Sequence, residues 1–180
     1  LVSRNIANHL EKHFQEFPRT WRPLVYCWRG GERSGAFTHI LNRIGWKAMQ
    51  LEGGYQGFRR TVIDGLNEAA KQFSFRVICG MTGSGKTRVL QEARDYGAQI
   101  LDLEALAIHR GSVLGNEPNI EQPSQKGFET ALWNALRALD PSRPVLVESE
   151  SKKVGGLHVP DALMEKIRSG ACIELRSSPQ

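Results

Sequence analysis

"FSFRVICGMTGSGKT", residues 73–87, is the stretch that decides the fold. Its first half is a short β-rich apolar run of the kind that makes a buried strand. Its second half, Gly80 to Thr87, satisfies the pattern G-x-x-x-x-G-K-[ST], and a helical stretch follows from about Lys86 to Tyr96. A glycine loop between a strand and a helix lets successive backbone N–H groups turn inward around phosphate oxygens, and the helix N-terminus adds its dipole. Gly80, Gly83, Ser84, Gly85, Lys86 and Thr87 are therefore the expected phosphate ligands, with Lys86 supplying a point charge and Thr87 placed to hold Mg²⁺.

Downstream, "AQILDLE" (98–104) and "PVLVESE" (144–150) read as strands, and Phe128, Leu132, Leu136 and Leu139 mark a helix between them; "ACIEL" (171–175) is a last strand. Repeated alternation of strand and helix implies an α/β fold with a parallel sheet covered by helices. A phosphate loop also calls for a carboxylate at the end of a neighbouring strand to orient the magnesium shell, and Glu148 is the candidate, with Glu150 close by.

Upstream, Val2, Ile6, Leu10 and Phe14 form a helical stripe closed by Pro18. "PLVYC" (23–27) is a short strand, a helix runs from Ser34 to Gly45, and "KAMQL" (47–51) is another strand, with Gly53-Gly54 a turn. The boundary between the two units is placed near Gln72, giving 1–72 and 73–180. Two strands make an incomplete parallel sheet, so each unit is expected to be part of a larger domain and the chain an internal piece of a longer protein.

The 180 residues are 40% apolar with a net charge of +5, and no run approaches the length of a membrane helix. Nothing near the start resembles a signal peptide, so a cytoplasmic location is the default expectation. Residues 1–72 hold 11 Lys/Arg against 6 Asp/Glu while the remainder is balanced, which favours a polyanion such as RNA on the first unit. Cys27, Cys79 and Cys172 lie far apart without CxxC spacing, so free thiols are expected, the last two as small core residues.

Cys27 is different. It ends a strand, and "CWRGGERS" (27–34) follows it with Arg29, Gly30, Gly31, Arg33 and the helix start at Ser34. Loop amides, a helix N-terminus and guanidinium groups all lower a cysteine pKa, which is what a nucleophilic thiolate needs. Two chemistries share such a loop: a rhodanese-like sulfurtransferase, which carries a chalcogen atom on the cysteine, and a cysteine phosphatase, whose C-x5-R-[ST] pattern is met literally. Tyr26 and the lack of an evident leaving-group acid stand against the phosphatase. Trp28 and Trp46 are candidates for stacking on an RNA base, Arg110 and His109 for the phosphate site, and Lys152-Lys153 for RNA backbone.

Taken together, "CWRGGERS", "LEGGYQGFR" (51–59), "GMTGSGKT", "DLEALAIHRGSVLG" (102–115), "QPSQKGFE" (122–129), "ESES" (148–151) and "VP" (159–160) resemble, in order, stretches of the tRNA 2-selenouridine synthase family. The family pattern leads one to expect a polar residue at Ile108 and an aromatic one at Leu114. The resemblance implies the C-terminal half of a rhodanese-like parallel-sheet domain followed by a partial P-loop NTPase-like domain. It implies a transferase that replaces the sulfur of wobble 2-thiouridine in tRNA with selenium from selenophosphate, after S-geranylation by geranyl diphosphate. Its partners would be that tRNA and an enzyme supplying selenophosphate. Cys27 would handle selenium, with Arg29, Arg33 and the loop amides neutralising anions, and the phosphate loop would bind a diphosphate. The five residues between Cys27 and Arg33, one more than simple sulfur-transferring rhodaneses have, would let selenophosphate itself enter. The competing readings are a P-loop kinase or NTPase joined to a sulfurtransferase-like or phosphatase-like module, and a non-catalytic RNA-binding protein.

Overall fold

The computed structural model describes residues 2–81, 83–109 and 120–176. They form two compact units, Leu1–Thr61 and Val62–Gln180.

In the first unit, helix α1 (Val2–His13) precedes a two-residue strand β1 (Leu24–Val25), helix α2 (Glu32–Ile44) and strand β2 (Met49–Gln50). The strands pair in parallel, Leu24 with Met49 and Val25 with Gln50. Leu41, Trp46 and Ala48 are buried, with Leu10, Phe14, Trp21, Val25 and Phe37 packed around them. Trp46 is thus a core residue, its indole N–H donating to the Pro18 carbonyl at 3.1 Å, and it offers no face for an RNA base. Helix α3 (Gly54–Gln72) then runs across the boundary between the units. Gly54, Gly57 and Gly65 interrupt it, and its apolar repeat, Val62, Leu66 and Ala70, begins only at its ninth residue; all three of these apolar residues are buried.

The second unit is a four-stranded parallel sheet in the order β4 (Gln99–Leu101), β5 (Val145–Glu148), β3 (Phe75–Cys79), β8 (Ala171–Glu174). The α/β expectation with a parallel sheet holds. Helices α4 (Lys86–Asp95), α5 (Leu103–Ala107), α6 (Gln125–Arg137) and α7 (Asp161–Arg168) accompany it. Leu90, Phe128, Leu132, Val145, Val147 and Leu163 are wholly buried, so the central strand β5 carries no exposed apolar face. A small antiparallel hairpin, β6 (Lys153–Val154) and β7 (Leu157–His158), turns at Gly155 and is clamped by glutamines. Gln122 donates to the carbonyls of Ala107 and Val154 and accepts from Gly156 N, while Gln125 bonds both backbone groups of His158.

The expectation of three free cysteines fails. Cys79 and Cys172 form a disulfide between the adjacent strands β3 and β8, their Cα atoms 6.1 Å apart. A separation of 93 residues concealed a pairing that sheet order makes immediate. Among the described residues no helix is long and apolar enough to cross a membrane.

Candidate functional site

Each unit holds its own cluster. In the first, the chain leaves β1 at Cys27 and turns through Gly30 and Gly31, both at φ 81°, a conformation in which a side chain would be strained. Gly31 is the N-cap of α2, which begins two residues before Ser34. That brings the buried Ser34 hydroxyl to 3.3 Å from Cys27 Sγ, with Gly31 O at 3.0 Å. The thiol faces Arg29 O at 3.3 Å. Its pKa lies below the ordinary thiol value, chiefly because of the Ser34 hydroxyl and then the Ser34 amide; desolvation opposes them, and the Gly31 amide and the Arg33 charge add smaller lowering effects.

The start of α3 buttresses this loop. Tyr55 N and Gln56 N donate to the carbonyls of Cys27 and Trp28 at 2.9 and 3.2 Å, and the half-exposed Trp28 ring stacks on Tyr55 with centroids 5.1 Å apart. Gly54, at φ 59°, lies so close that a Cβ there would collide with the Cys27 carbonyl oxygen. Gly54→Ala is accordingly expected to destabilise the first unit by about 2–3 kcal/mol, since backbone faces backbone and φ is positive. A urea melt reads it; an unchanged midpoint would show that the loop yields freely.

In the second unit the phosphate loop joins β3 to α4, with Gly83 and Gly85 at φ 81° and 83° and Gly85 as N-cap. Lys86 Nζ donates to the carbonyls of Gly80 and Met81, each at 3.1 Å, which holds the ammonium within the loop. A Cβ on Gly80 would stand 2.7 Å from Ser84 Oγ, so a side chain there would have to displace that hydroxyl. Glu148 ends β5 beside Ile78 of β3 and is buried. Glu104 and Glu150 join it: one oxygen from each of the three carboxylates lies within 4.8 Å of the others.

These carboxylates are not in their ordinary ionisation range. Burial, then the Glu150 charge, pushes Glu104 up to about 7. Glu148 is raised by burial, against a hydrogen bond from Thr87 and the nearby Lys86 charge. Glu150 is raised by burial too. The Glu104–Glu150 hydrogen bond raises Glu104 and lowers Glu150, as when one proton is shared and resides on Glu104. Glu148 Oε1 is buried without a hydrogen-bond partner. Crowded oxygen donors, one of them orphaned, beside the Thr87 hydroxyl are a donor set that suits a hard divalent cation such as Mg²⁺.

The model of the tRNA 2-selenouridine synthase AAA domain matches residues 73–180, the segment just described. The chain belongs to the tRNA 2-selenouridine synthase family. It is 40% identical over 156 residues to the tRNA 2-selenouridine synthase of Alcanivorax borkumensis, covering 86% of this chain and 42% of that protein. It is 35% identical over 177 residues to that of Nitrosomonas europaea, covering 96% and 46%. The chain thus spans less than half the length of these curated relatives. No solved structure matches it.

Of the residues expected in a tRNA 2-selenouridine synthase relative, Cys27, Gly30, Gly31, Ser34 and the Arg29 backbone share the first cluster, and Arg33 is exposed beside it. Gly80, Ser84, Gly85, Lys86, Thr87 and Glu148 share the second. Arg110 lies outside the described residues, as does Leu114. His109 is buried and lines a cavity of about 500 Å³ with Thr87, Asp102, Glu104 and Ile108. Ile108 sits at φ 51°, ψ 54°, a left-handed position that a β-branched residue rarely takes. Lys152 pairs with Asp161 at 2.6 Å. Glu104 and Gln50 escaped sequence reasoning: the acidic run of "LDLE" hinted at the first, and nothing local marks the second.

The raised carboxyls set a pH dependence. Glu104 ordinarily titrates at 4.5 and here at about 7, so between those values the folded chain binds more protons than the unfolded one, and stability falls as pH rises through that window. In the presence of a chelator, Glu104→Gln is expected to flatten that slope. Above neutrality it should raise stability by about 1 kcal/mol, a figure reduced for partial exposure and solvent screening. Urea melts across the window measure it, and a slope as steep as in the parent would contradict the assignment.

Proposed function

We propose that this chain supplies the thiol and the diphosphate site of a tRNA 2-selenouridine synthase, which exchanges the sulfur of wobble 2-thiouridine for selenium from selenophosphate through an S-geranylated intermediate. The observation that carries the reading is the pairing, within one chain of that family, of a Cys27 thiol with a lowered pKa and a phosphate loop beside a cluster of three carboxylates, of which Glu148 is buried.

In the first step the thiouridine sulfur attacks C1 of geranyl diphosphate. A C–S bond forms, the C–O bond breaks with its electrons leaving on diphosphate, and the uridine N3 proton is released. Amides of Gly83 to Thr87 and the Lys86 ammonium receive the diphosphate charge, which grows as the bond breaks. Mg²⁺ held by Thr87 and Glu148 would supply further neutralisation. The Glu104–Glu150 pair provides a place for a proton near neutral pH. In the second step the Cys27 thiolate attacks the phosphorus of selenophosphate, an S–P bond forming as the P–Se bond breaks and frees hydrogen selenide, and water then hydrolyses the phosphocysteine to thiol and phosphate; the Gly31 and Ser34 amides, Arg29 and Arg33 face the anion. The freed selenide adds at C2 of the geranylated base, its proton passes to N3, and the C–S bond breaks so that geranyl thiolate leaves and is protonated, a better leaving group than a bare sulfide. A rhodanese-like origin for residues 1–72 is part of this proposal, as are the selenophosphate-supplying partner and a cytoplasmic setting.

Titration of the full-length protein with geranyl diphosphate, ATP and GTP tests the assignment of the phosphate loop. Saturable binding of geranyl diphosphate with release of diphosphate on tRNA addition supports it. Productive turnover of ATP alone would replace it with a P-loop kinase or NTPase.

A further inference from the structure

Gln50, the last residue of β2, has no place in the chemistry above, yet its side chain reaches into the Cys27 loop. Nε2 donates to Gly31 O at 2.9 Å and to Ser34 Oγ at 3.1 Å, which uses both of its hydrogens. The slot it occupies exists because residues 31 and 35, one helical turn apart, are glycines. A Cβ on Gly31 would come within 2.8 Å of Nε2, and one on Gly35 within 3.2 Å of Oε1. The amide cannot be turned end for end, because Oε1 would then face the carbonyl of Gly31.

Counting lone pairs shows what this does. Gly31 O already accepts from Gly35 N at 2.6 Å, and Gln50 takes its second lone pair. Ser34 has a single hydroxyl hydrogen and two acceptors in reach, Gly31 O at 3.0 Å and Cys27 Sγ at 3.3 Å. With Gly31 O filled and a lone pair of Ser34 Oγ occupied by Gln50, the hydrogen is left for sulfur. Without Gln50 the shorter contact to Gly31 O would compete for it.

We propose that Gln50 is a positioning residue that directs the Ser34 hydroxyl hydrogen onto Cys27 Sγ. It does so by occupying the competing acceptor, Gly31 O, and so keeps the nucleophile as thiolate. The inference rests on the reading of Cys27 as the selenium-handling thiol and adds to it a device on a different strand. The Ser34 hydroxyl is the largest influence lowering the Cys27 pKa, so whatever steers that hydrogen governs the sulfur.

The test is the pH profile of iodoacetamide alkylation of Cys27 in the full-length protein, followed by peptide mass mapping. Gln50→Leu is expected to slow alkylation at neutral pH roughly threefold by moving the profile to higher pH. Gln50→Glu keeps the shape but offers the hydroxyl a carboxylate acceptor, and should slow it further. In a Ser34→Ala background Gln50→Leu should have no added effect, because the hydrogen it steers is gone. A parental profile in Gln50→Glu, or additive effects of Ser34→Ala and Gln50→Leu, would overturn the proposal. Failure of the wider reading would look different: Cys27→Ala would leave tRNA selenium unchanged while these profiles still shifted.

Discussion

Complementing cells that lack the gene with a full-length Cys27→Ser variant is expected to reduce 2-selenouridine in tRNA by at least about 10³-fold, because a hydroxyl at that position is not ionised near neutral pH and so cannot act as the nucleophile that frees selenium from selenophosphate. The structure makes the substitution mild in every other respect. Cys27 lies in a loop whose shape is set by Gly30, Gly31 and Gly54 and by amides donated from α3, none of which needs sulfur. tRNA affinity and the melting curve should therefore stay near those of the parent. Nucleoside mass spectrometry reads the result, and the accumulating species is informative too: S-geranyl-2-thiouridine should build up if the second step alone is blocked. Selenouridine at parental levels would remove Cys27 from the mechanism altogether.

Lys86→Ala is the second large effect. The ammonium sits between the Gly80 and Met81 carbonyls inside the phosphate loop, so it meets a diphosphate without moving far. Its removal deletes charge-assisted hydrogen bonds and takes away the Lys86 charge that favours the ionised form of the buried Glu148. Binding of geranyl diphosphate is expected to weaken about 100-fold, roughly 3 kcal/mol, in calorimetric titration of the full-length protein. Cys27 alkylation should be untouched, since Lys86 does not figure among the groups that lower that thiol's pKa. Undiminished affinity would mean that the diphosphate binds elsewhere.

The strands were legible where apolar runs abut glycine. "FSFRVIC" and "PVLVESE" became β3 and β5, and the phosphate loop followed from its spacing alone. Helix α3 was not, because Gly54, Gly57 and Gly65 dilute its periodicity and its buried repeat begins only at Val62. Glu148 could be picked out because it ends a strand. Glu104 could not be ranked, since its partner Glu150 is 46 positions away and only sheet order joins them. The Cys79–Cys172 bond and the Gln50 contact share that character. Each depends on which strands are neighbours, and spacing along the chain carries no such information.

The order of the sheet also bears on how the polypeptide is made. The strand bearing the phosphate loop and the next strand to leave the ribosome never touch; β5, some 40 residues later, is inserted between them. A nascent chain that has emerged only as far as Leu101 therefore has strands β3 and β4 unpaired and none of the clustered carboxylates Glu104, Glu148 and Glu150. During translation the first unit can settle while the second waits, and the waiting segment is the one whose exposed edges most need shielding by chaperones.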